Sequence, residues 1–295
     1  MLHRFLTTLA VAGICFCASP AVPLASTAIL VEPDLKFDAE PLPDNGEFAE
    51  AARADPLRML GLAAKRYLLT ASEGDKEVVS GYSATFHKRE RIRDVLQPQE
   101  VIRVNYREQP FAVQMHWERG GGLADRTLYV AGEHGGKMLA RSRRLGIVLE
   151  ADPRGSTARN SARYTIEEFG MFHSTKRALK VWTGAESRGS LEWKFLGTRT
   201  VPATGDRECH VLRRLCAVDE LDAFASGEAN PRIGDDNRAD SFRTITLYFD
   251  TRTWLQLGAE LHRADGELAG SYFYRDVMLN PAFPDGAFTR AALKK

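Results

Sequence analysis

Residue types that can carry out catalysis occur in this sequence, but their spacing forms no recognised catalytic pattern. Glu167 and Glu168 could act as an acid and base pair, yet adjacent side chains point to different sides of a helix or strand, which favours a surface role. Motifs of hydrolases, zinc proteases, phosphate loops and dinucleotide folds are absent from the sequence. No two histidines are close enough to suggest a metal clamp; they are His3, His87, His116, His134, His173, His210 and His262. We therefore predict a non-enzymatic protein, with no catalytic residue, cofactor or metal.

Cys209 and Cys216 are the two cysteines that lie outside the N-terminal segment. An even number of cysteines in an oxidising compartment favours a disulfide. Six intervening residues in one extended strand would hold the Cα atoms far beyond the ~4.4–6.8 Å that a disulfide allows. Two alternatives follow: the chain turns between them, for example at Arg213 and Arg214, or both thiols stay unoxidised and buried. We favour the disulfide.

Basic residues are concentrated at 87–93, where the sequence reads HKRERIR. The stretch predicts a solvated hairpin tip. An alternative is contact with an anionic membrane surface, where each basic residue adds about 1 kcal/mol. Removal of residues 1–28, whose one charged side chain is Arg4, leaves equal numbers of basic and acidic residues. This balance gives no reason to expect a nucleic-acid partner.

The N-terminal segment, residues 1–28, has the three parts of a secretory signal. Arg4 gives a basic start, an uncharged apolar run covers 5–18, and small residues follow up to Ala28. The run is shorter than the ~20 apolar residues that span a bilayer, although a retained membrane anchor is the alternative. Cys15 and Cys17 follow large residues, which does not fit a lipid-attachment site. We predict an exported protein of the periplasm or cell envelope.

Residues 55–295 are predicted to form one domain of the α+β class, mainly antiparallel β. Asp55 and Pro56 are typical of a helix start, and apolar residues then recur at helical spacing. From Tyr82 the apolar period changes to two, and glycine turns separate short strands, which favours an antiparallel meander. The strands expected are 101–106, 110–118, 126–131, 137–141, 191–200, 207–215, 242–250, 254–263 and 270–279.

Three segments interrupt or precede this meander. A helical insert occupies the region 160–184, with Ser174 as the expected cap. Residues 29–54 carry prolines and acidic residues without a sustained period, and we predict a flexible leader there. Residues 219–240 are polar and glycine-rich, which is typical of a mobile loop.

Two sequence blocks resemble known families. The run FDTRTWL at 249–255, the Asp265-Gly266 turn and the segment YFYRDVMLNPAFPDGAF at 272–288 resemble the closing hairpin of the LolA-like superfamily, the periplasmic lipoprotein carriers and their relatives. The block YREQPFAVQMHW…LYVAGEHGGKMLA is similar to a family of exported proteins called domain of unknown function 1571. The similarity covers about 75–290; the leader lies outside it, and the loop at 219–240 is long.

The resemblance implies an incompletely closed antiparallel β-barrel whose concave face is covered by helices. Its members hold acyl chains or hydrophobic peptides in the apolar hollow. In a curved sheet every second residue faces inward, so the expected wall residues are Phe111, Val113, Met115, Trp117, Leu128, Val130, Leu255, Leu257 and Leu261. The expected lid residues are Phe169, Met171, Phe172 and Trp182. Alternatively, these side chains fill an ordinary core with no cavity.

These observations lead to two functional hypotheses. In the first, the protein binds a lipid, an acyl chain or a lipoprotein in the half-barrel without catalysis. In the second, it is a cell-envelope interaction or sensor module whose concave face recognises a protein segment. A carrier requires a continuous apolar cavity, whereas a sensor would keep its partner after the hollow is filled. The sequence does not predict an oligomeric state.

Overall fold

The computed structural model describes residues 46–68, 78–92, 94–216 and 242–294. The predicted signal peptide 1–28, residues 29–45 of the predicted leader and the predicted loop 219–240 lie outside the described residues.

Twelve strands of the described chain form one antiparallel sheet. They are β1 Gly81–Ile92, β2 Val95–Leu96, β3 Glu100–Arg107, β4 Ala112–Arg119, β5 Ala124–Val130, β6 Met138–Ser142, β7 Val148–Ala151, β8 Glu192–Val201, β9 Arg207–Leu215, β10 Thr244–Asp250, β11 Gln256–His262 and β12 Leu268–Leu279. Each of the nine strands expected from the sequence overlaps one of these. The structure adds β2 and β7 and gives β1 its bounds.

The strand order shows how the sheet is built and where it stays open. The order is β7-β6-β5-β4-β3-β1-β12-β11-β10-β9-β8, with β2 attached to β1. Two meanders therefore meet where β1 pairs with β12, from Tyr82 opposite Leu279 to Glu90 opposite Gly270. The edge strands of the described sheet, β7 and β8, are consecutive in sequence but lie at opposite edges. This confirms the predicted fold class, an incompletely closed antiparallel sheet with helices.

The helices lie on the concave face of the sheet. They are α1 Glu47–Ala54, α2 Pro56–Leu68, α3 Ser156–Arg159 and α4 Met171–Ser187. The side chain of Asp55 accepts a hydrogen bond of 2.9 Å from the backbone N–H of Arg58, so Asp55 caps α2 as predicted. Helix α4 lies in the connection 152–191, which runs from the edge strand β7 to the opposite edge strand β8.

Two sequence-based boundaries were wrong. Residues 47–54 are the helix α1 rather than part of a flexible leader, and Phe48, Ala51 and Ala52 are buried. Phe48 stacks on Trp254 with ring centroids 4.8 Å apart, so tertiary contacts stabilise a helix too short to be stable alone. Helix α4 begins at Met171 after Gly170, one turn before the expected Ser174 cap. At Gly170 φ is +121° and an added Cβ would lie 2.6 Å from the Tyr106 ring, so only glycine fits there.

The convex face of the sheet is also covered at one side. Phe288 and Leu293, the latter in the 3-10 helix Arg290–Lys294, pack with buried Leu128, Val130 and Leu139 of β5 and β6. Strand β5 is therefore buried on both faces, as expected for a strand without an apolar-polar alternation.

An apolar cavity on the concave face

A cavity of about 1280 Å³ lies between the concave face of the sheet and the segment 152–170. Strands β1, β3, β4 and β6 form one wall, and strands β11 and β12 continue it. The segment 152–170 contributes Tyr164, Ile166 and Phe169 to the opposite side. The apolar lining of the cavity includes Phe86, Ile102, Met115, Met138, Phe169 and Tyr274.

Most of the sequence-predicted wall and lid residues fall into two groups on the concave face. Met115, Trp117, Leu261 and the lid residue Phe169 line the cavity. The second group lies where α1, α2 and α4 fill the hollow with packed side chains. One hydrophobic cluster there contains Val113, Leu255, Leu257, Met171 and Phe172, and Phe111 packs against it. The neighbouring cluster contains Trp182. The hollow is thus filled under the helices and open beside them.

Leu128 and Val130 are not cavity residues, so this prediction was wrong. Gln114 pairs with Leu128 and Met115 pairs with Thr127, and directly opposite residues share a face of the sheet. Thr127 and Tyr129 therefore face the concave side, whereas Leu128 and Val130 face the C-terminal segment on the convex side. The one-residue error arose because four consecutive residues of β5, Thr127 to Val130, are buried, so burial does not distinguish the two faces.

A charged cluster lies in the cavity wall. The Lys88 ammonium is 3.2 Å from one carboxylate oxygen of Glu90 and 3.2 Å from one of Glu100. Glu90 is 3% exposed and also accepts a hydrogen bond of 2.8 Å from the Tyr272 hydroxyl. Glu100 accepts one of 2.8 Å from the Trp117 indole. Burial acts to lower the pKa of Lys88, but the charges of Glu90 and Glu100 together outweigh it and raise that pKa.

This cluster corrects the interpretation of residues 87–93 as a solvated hairpin tip. Lys88 and Glu90 lie within strand β1 and face the cavity, and Arg91 forms an ion pair of 2.7 Å with Glu267. The sequence contained one signal for this arrangement: Lys88 and Glu90 stand in the same period-two row as apolar Phe86 and Ile92. Nothing in the sequence places Glu100 opposite Lys88, because that pairing depends on the register of β3.

Cys209 and Cys216 are not joined by a disulfide, so that prediction was wrong. Both thiols are buried, Cys209 on β9 and Cys216 directly after its last residue. The strand is continuous between them, and a separation of seven residues puts them on opposite faces. Cys209 packs with Val201, Val211 and Tyr248 on the convex side, where burial raises the pKa of its thiol to about 12. An unreactive thiol is expected there.

His173, on α4 beside the filled part of the hollow, should make stability depend on pH. Its ring centroid is 5.1 Å from that of Phe111. Burial, with the nearby charges of Arg177 and Lys176, lowers the pKa of His173 to about 4. The unfolded chain, with its higher histidine pKa, then binds more protons below about pH 6.5, so stability is lost as the pH falls toward 4.

We expect this loss to reach at most about 3 kcal/mol in the free energy of unfolding. Urea unfolding at several pH values between 4 and 7 measures it. Because carboxyl groups also titrate in this range, the wild type is compared with His173→Gln, which should show a shallower decline. Identical pH dependence of the two proteins would contradict the assignment.

The described residues hold no group of three His, Cys, Asp or Glu side chains that could bind a metal ion. Among the helices of the described chain, none has the length and apolar character needed to cross a membrane.

Comparison with known proteins gives a family match and several structural neighbours. Residues 79–220 match the model of DUF1571, a protein family of unknown function, which confirms that resemblance. No curated protein sequence matches. A LolA superfamily protein from Nitrosomonas europaea is 9% identical, with 81% of this chain and 99% of that chain covered and a TM-score of 0.33. Lipoprotein LppX of Mycobacterium tuberculosis is 10% identical, with 78% and 98% covered and a TM-score of 0.41. MucB in its complex with MucA from Pseudomonas aeruginosa is 12% identical, with 72% and 56% covered and a TM-score of 0.40.

Proposed function

We propose that this protein binds a hydrophobic ligand, an acyl chain, a lipid or the lipid part of a lipoprotein, in the concave-face cavity without catalysis. The observation that supports it is the cavity itself: about 1280 Å³ with a largely apolar wall. Small-molecule sites are commonly about 300–1,000 Å³, so this volume accommodates a long chain. Each buried CH₂ group would contribute roughly 0.8 kcal/mol to binding.

In the charged cluster, the Lys88 ammonium offers one polar contact to the ligand at a fixed position in the cavity wall. Two of the three ammonium protons of Lys88 are directed to Glu90 and Glu100, and the side chain still lines the cavity. A ligand with one polar group and a long apolar part fits this wall better than a pure hydrocarbon. Such a ligand would be met in the cell envelope, to which the predicted signal peptide would direct the protein.

Filling the cavity should abolish ligand binding. Ala140 on β6 lines the cavity, and an indole in place of its methyl group would occupy the space that a chain requires. We expect Ala140→Trp to bind a fluorescent fatty acid at least tenfold more weakly than the wild type. Ala131→Trp is the matched control, because Ala131 is exposed in the turn between β5 and β6, away from the cavity. Equal affinities of wild type and Ala140→Trp would count against the cavity as the site.

Native mass spectrometry of the protein purified from its own envelope identifies the ligand directly. A bound mass that organic extraction releases as lipid would support the proposal. A ligand-free mass, together with no uptake of added fatty acid or phospholipid, would contradict it. The alternative would then be a protein-interaction or sensor module that uses the same concave face.

A further inference from the structure

Among the described connections, four turns lie side by side at one end of the sheet. In an antiparallel sheet, every second connection emerges at the same end, so the connections β1–β3, β4–β5, β6–β7 and β11–β12 share one end. The β4–β5 and β6–β7 turns are in direct contact, because the backbone N–H of Arg143 donates a hydrogen bond of 2.9 Å to the carbonyl of Leu123. The cavity opens at this end, since Leu123, Leu145 and Arg144 line it.

Large apolar side chains are exposed at this same end. Five such side chains of the described chain are strongly exposed: Val95 at 61%, Leu123 at 81%, Leu145 at 66%, Ile147 at 48% and Leu149 at 52%. Four lie in or beside the turns, and Leu149 is the second residue of the adjoining edge strand β7. Scattered exposed apolar residues are normal on a protein surface, but their concentration around one opening indicates an interaction site.

The charges of the described turns favour an anionic partner. Among the described residues, the acids of these turns and the adjoining strand ends have basic partners: Asp94 and Asp265 pair with Arg263, Glu118 with Arg103, and Glu267 with Arg91. Arg143 and Arg144 are both exposed in the turn that also carries Leu145 and Ile147. Leucines beside arginines are the combination that sits at the boundary between acyl chains and anionic headgroups.

We propose that this end of the sheet docks on an anionic bilayer surface. The mouth rim, which we define as Val95, Leu123, Arg143, Arg144, Leu145 and Ile147, would place its apolar side chains at the headgroup level and its arginines against lipid phosphates. The cavity opening would then face the bilayer. A bilayer fits this rim because its exposed leucines and arginines stand side by side, which matches an apolar interior beneath anionic headgroups.

Vesicle flotation tests the proposal with the full mature protein. The wild type should float with phosphatidylcholine vesicles that contain phosphatidylglycerol, and high salt should weaken this association. Removal of one interfacial arginine corresponds to about a fivefold loss of partitioning. We therefore expect Arg143→Glu/Arg144→Glu to lose more than tenfold, and Leu123→Ser/Leu145→Ser a similar amount. Circular dichroism confirms that the variants are folded.

Arg252→Glu is the matched control, since Arg252 is exposed in the β10–β11 turn at the opposite end of the sheet. It should float like the wild type. The proposal is overturned if the wild type does not float with the vesicles that contain phosphatidylglycerol, if both rim variants float normally, or if Arg252→Glu loses as much as the rim variants. Ala140→Trp separates this proposal from the proposed function, because it should lose fatty-acid binding and keep flotation.

Discussion

Asp250→Ala is expected to lower the free energy of unfolding by about 3–5 kcal/mol, the range for removal of one partner from a buried ion pair. Asp250 is completely buried at the end of β10, and the Arg207 guanidinium donates hydrogen bonds of 2.9 and 3.0 Å to its two carboxylate oxygens. The same carboxylate accepts bonds of 2.8 and 2.7 Å from the backbone N–H and the hydroxyl of Thr253. Alanine leaves all these donors without their acceptor.

The destabilisation should extend beyond the β10–β11 turn, because residues of this turn contact helices α1 and α2. The Thr253 carbonyl accepts a buried bond of 3.1 Å from Arg66 of α2, and Trp254 stacks on Phe48 of α1. Urea unfolding gives the free energy, and the helical signal by circular dichroism should decline in the same transition. Asp250→Asn, which keeps one acceptor, should lose less than alanine. A loss below about 1 kcal/mol for Asp250→Ala, the size of one ordinary hydrogen bond, would show that the carboxylate does not organise this turn.

Lys88→Met should be the second large loss, again about 3–5 kcal/mol at neutral pH. Methionine preserves much of the side-chain volume of Lys88 but removes its charge. The carboxylates of Glu90 and Glu100, which both contact the Lys88 ammonium, then lose their cation without gaining full access to water. Urea unfolding of both proteins at neutral pH measures the difference.

A double variant separates the effect of the lost charge on stability from the effect of altered packing. Lys88→Met combined with Glu100→Gln removes one cation and one carboxylate, and should recover most of the stability lost in Lys88→Met alone. If the combined variant is instead less stable by the sum of the two single effects, the three side chains do not interact as the distances indicate.

How much the sequence predicts depends on whether the information is local. Strand β9 was predicted at its observed bounds, because Arg207–Leu215 lies between a glycine turn and a polar segment. The phase of β4 was also correct, since Met115 and Trp117 both line the cavity. Helix α1 was missed because its stability comes from Trp254, a residue about 200 positions away in sequence.

The errors at the site have the same origin. Leu128 and Val130 look inward-facing when β5 is considered alone, and only the C-terminal segment on the convex face explains why they are buried there. Lys88 and Glu90 look solvated because charged residues usually are. Their burial is favourable only once the register brings Glu100 and Tyr272 against them, and register is not encoded by any one strand.

The connection between β7 and β8 links the two edges of an unclosed sheet through one continuous stretch of chain that includes Phe169 and α4. If a bound chain spreads the edges apart, the connection is pulled, and α4 moves with it. We therefore expect the width of the cavity and the position of α4 to change together. Lys176 and Lys180 are exposed on α4. The ligand-bound and ligand-free forms should therefore differ at this surface, which another protein can contact without contacting the ligand.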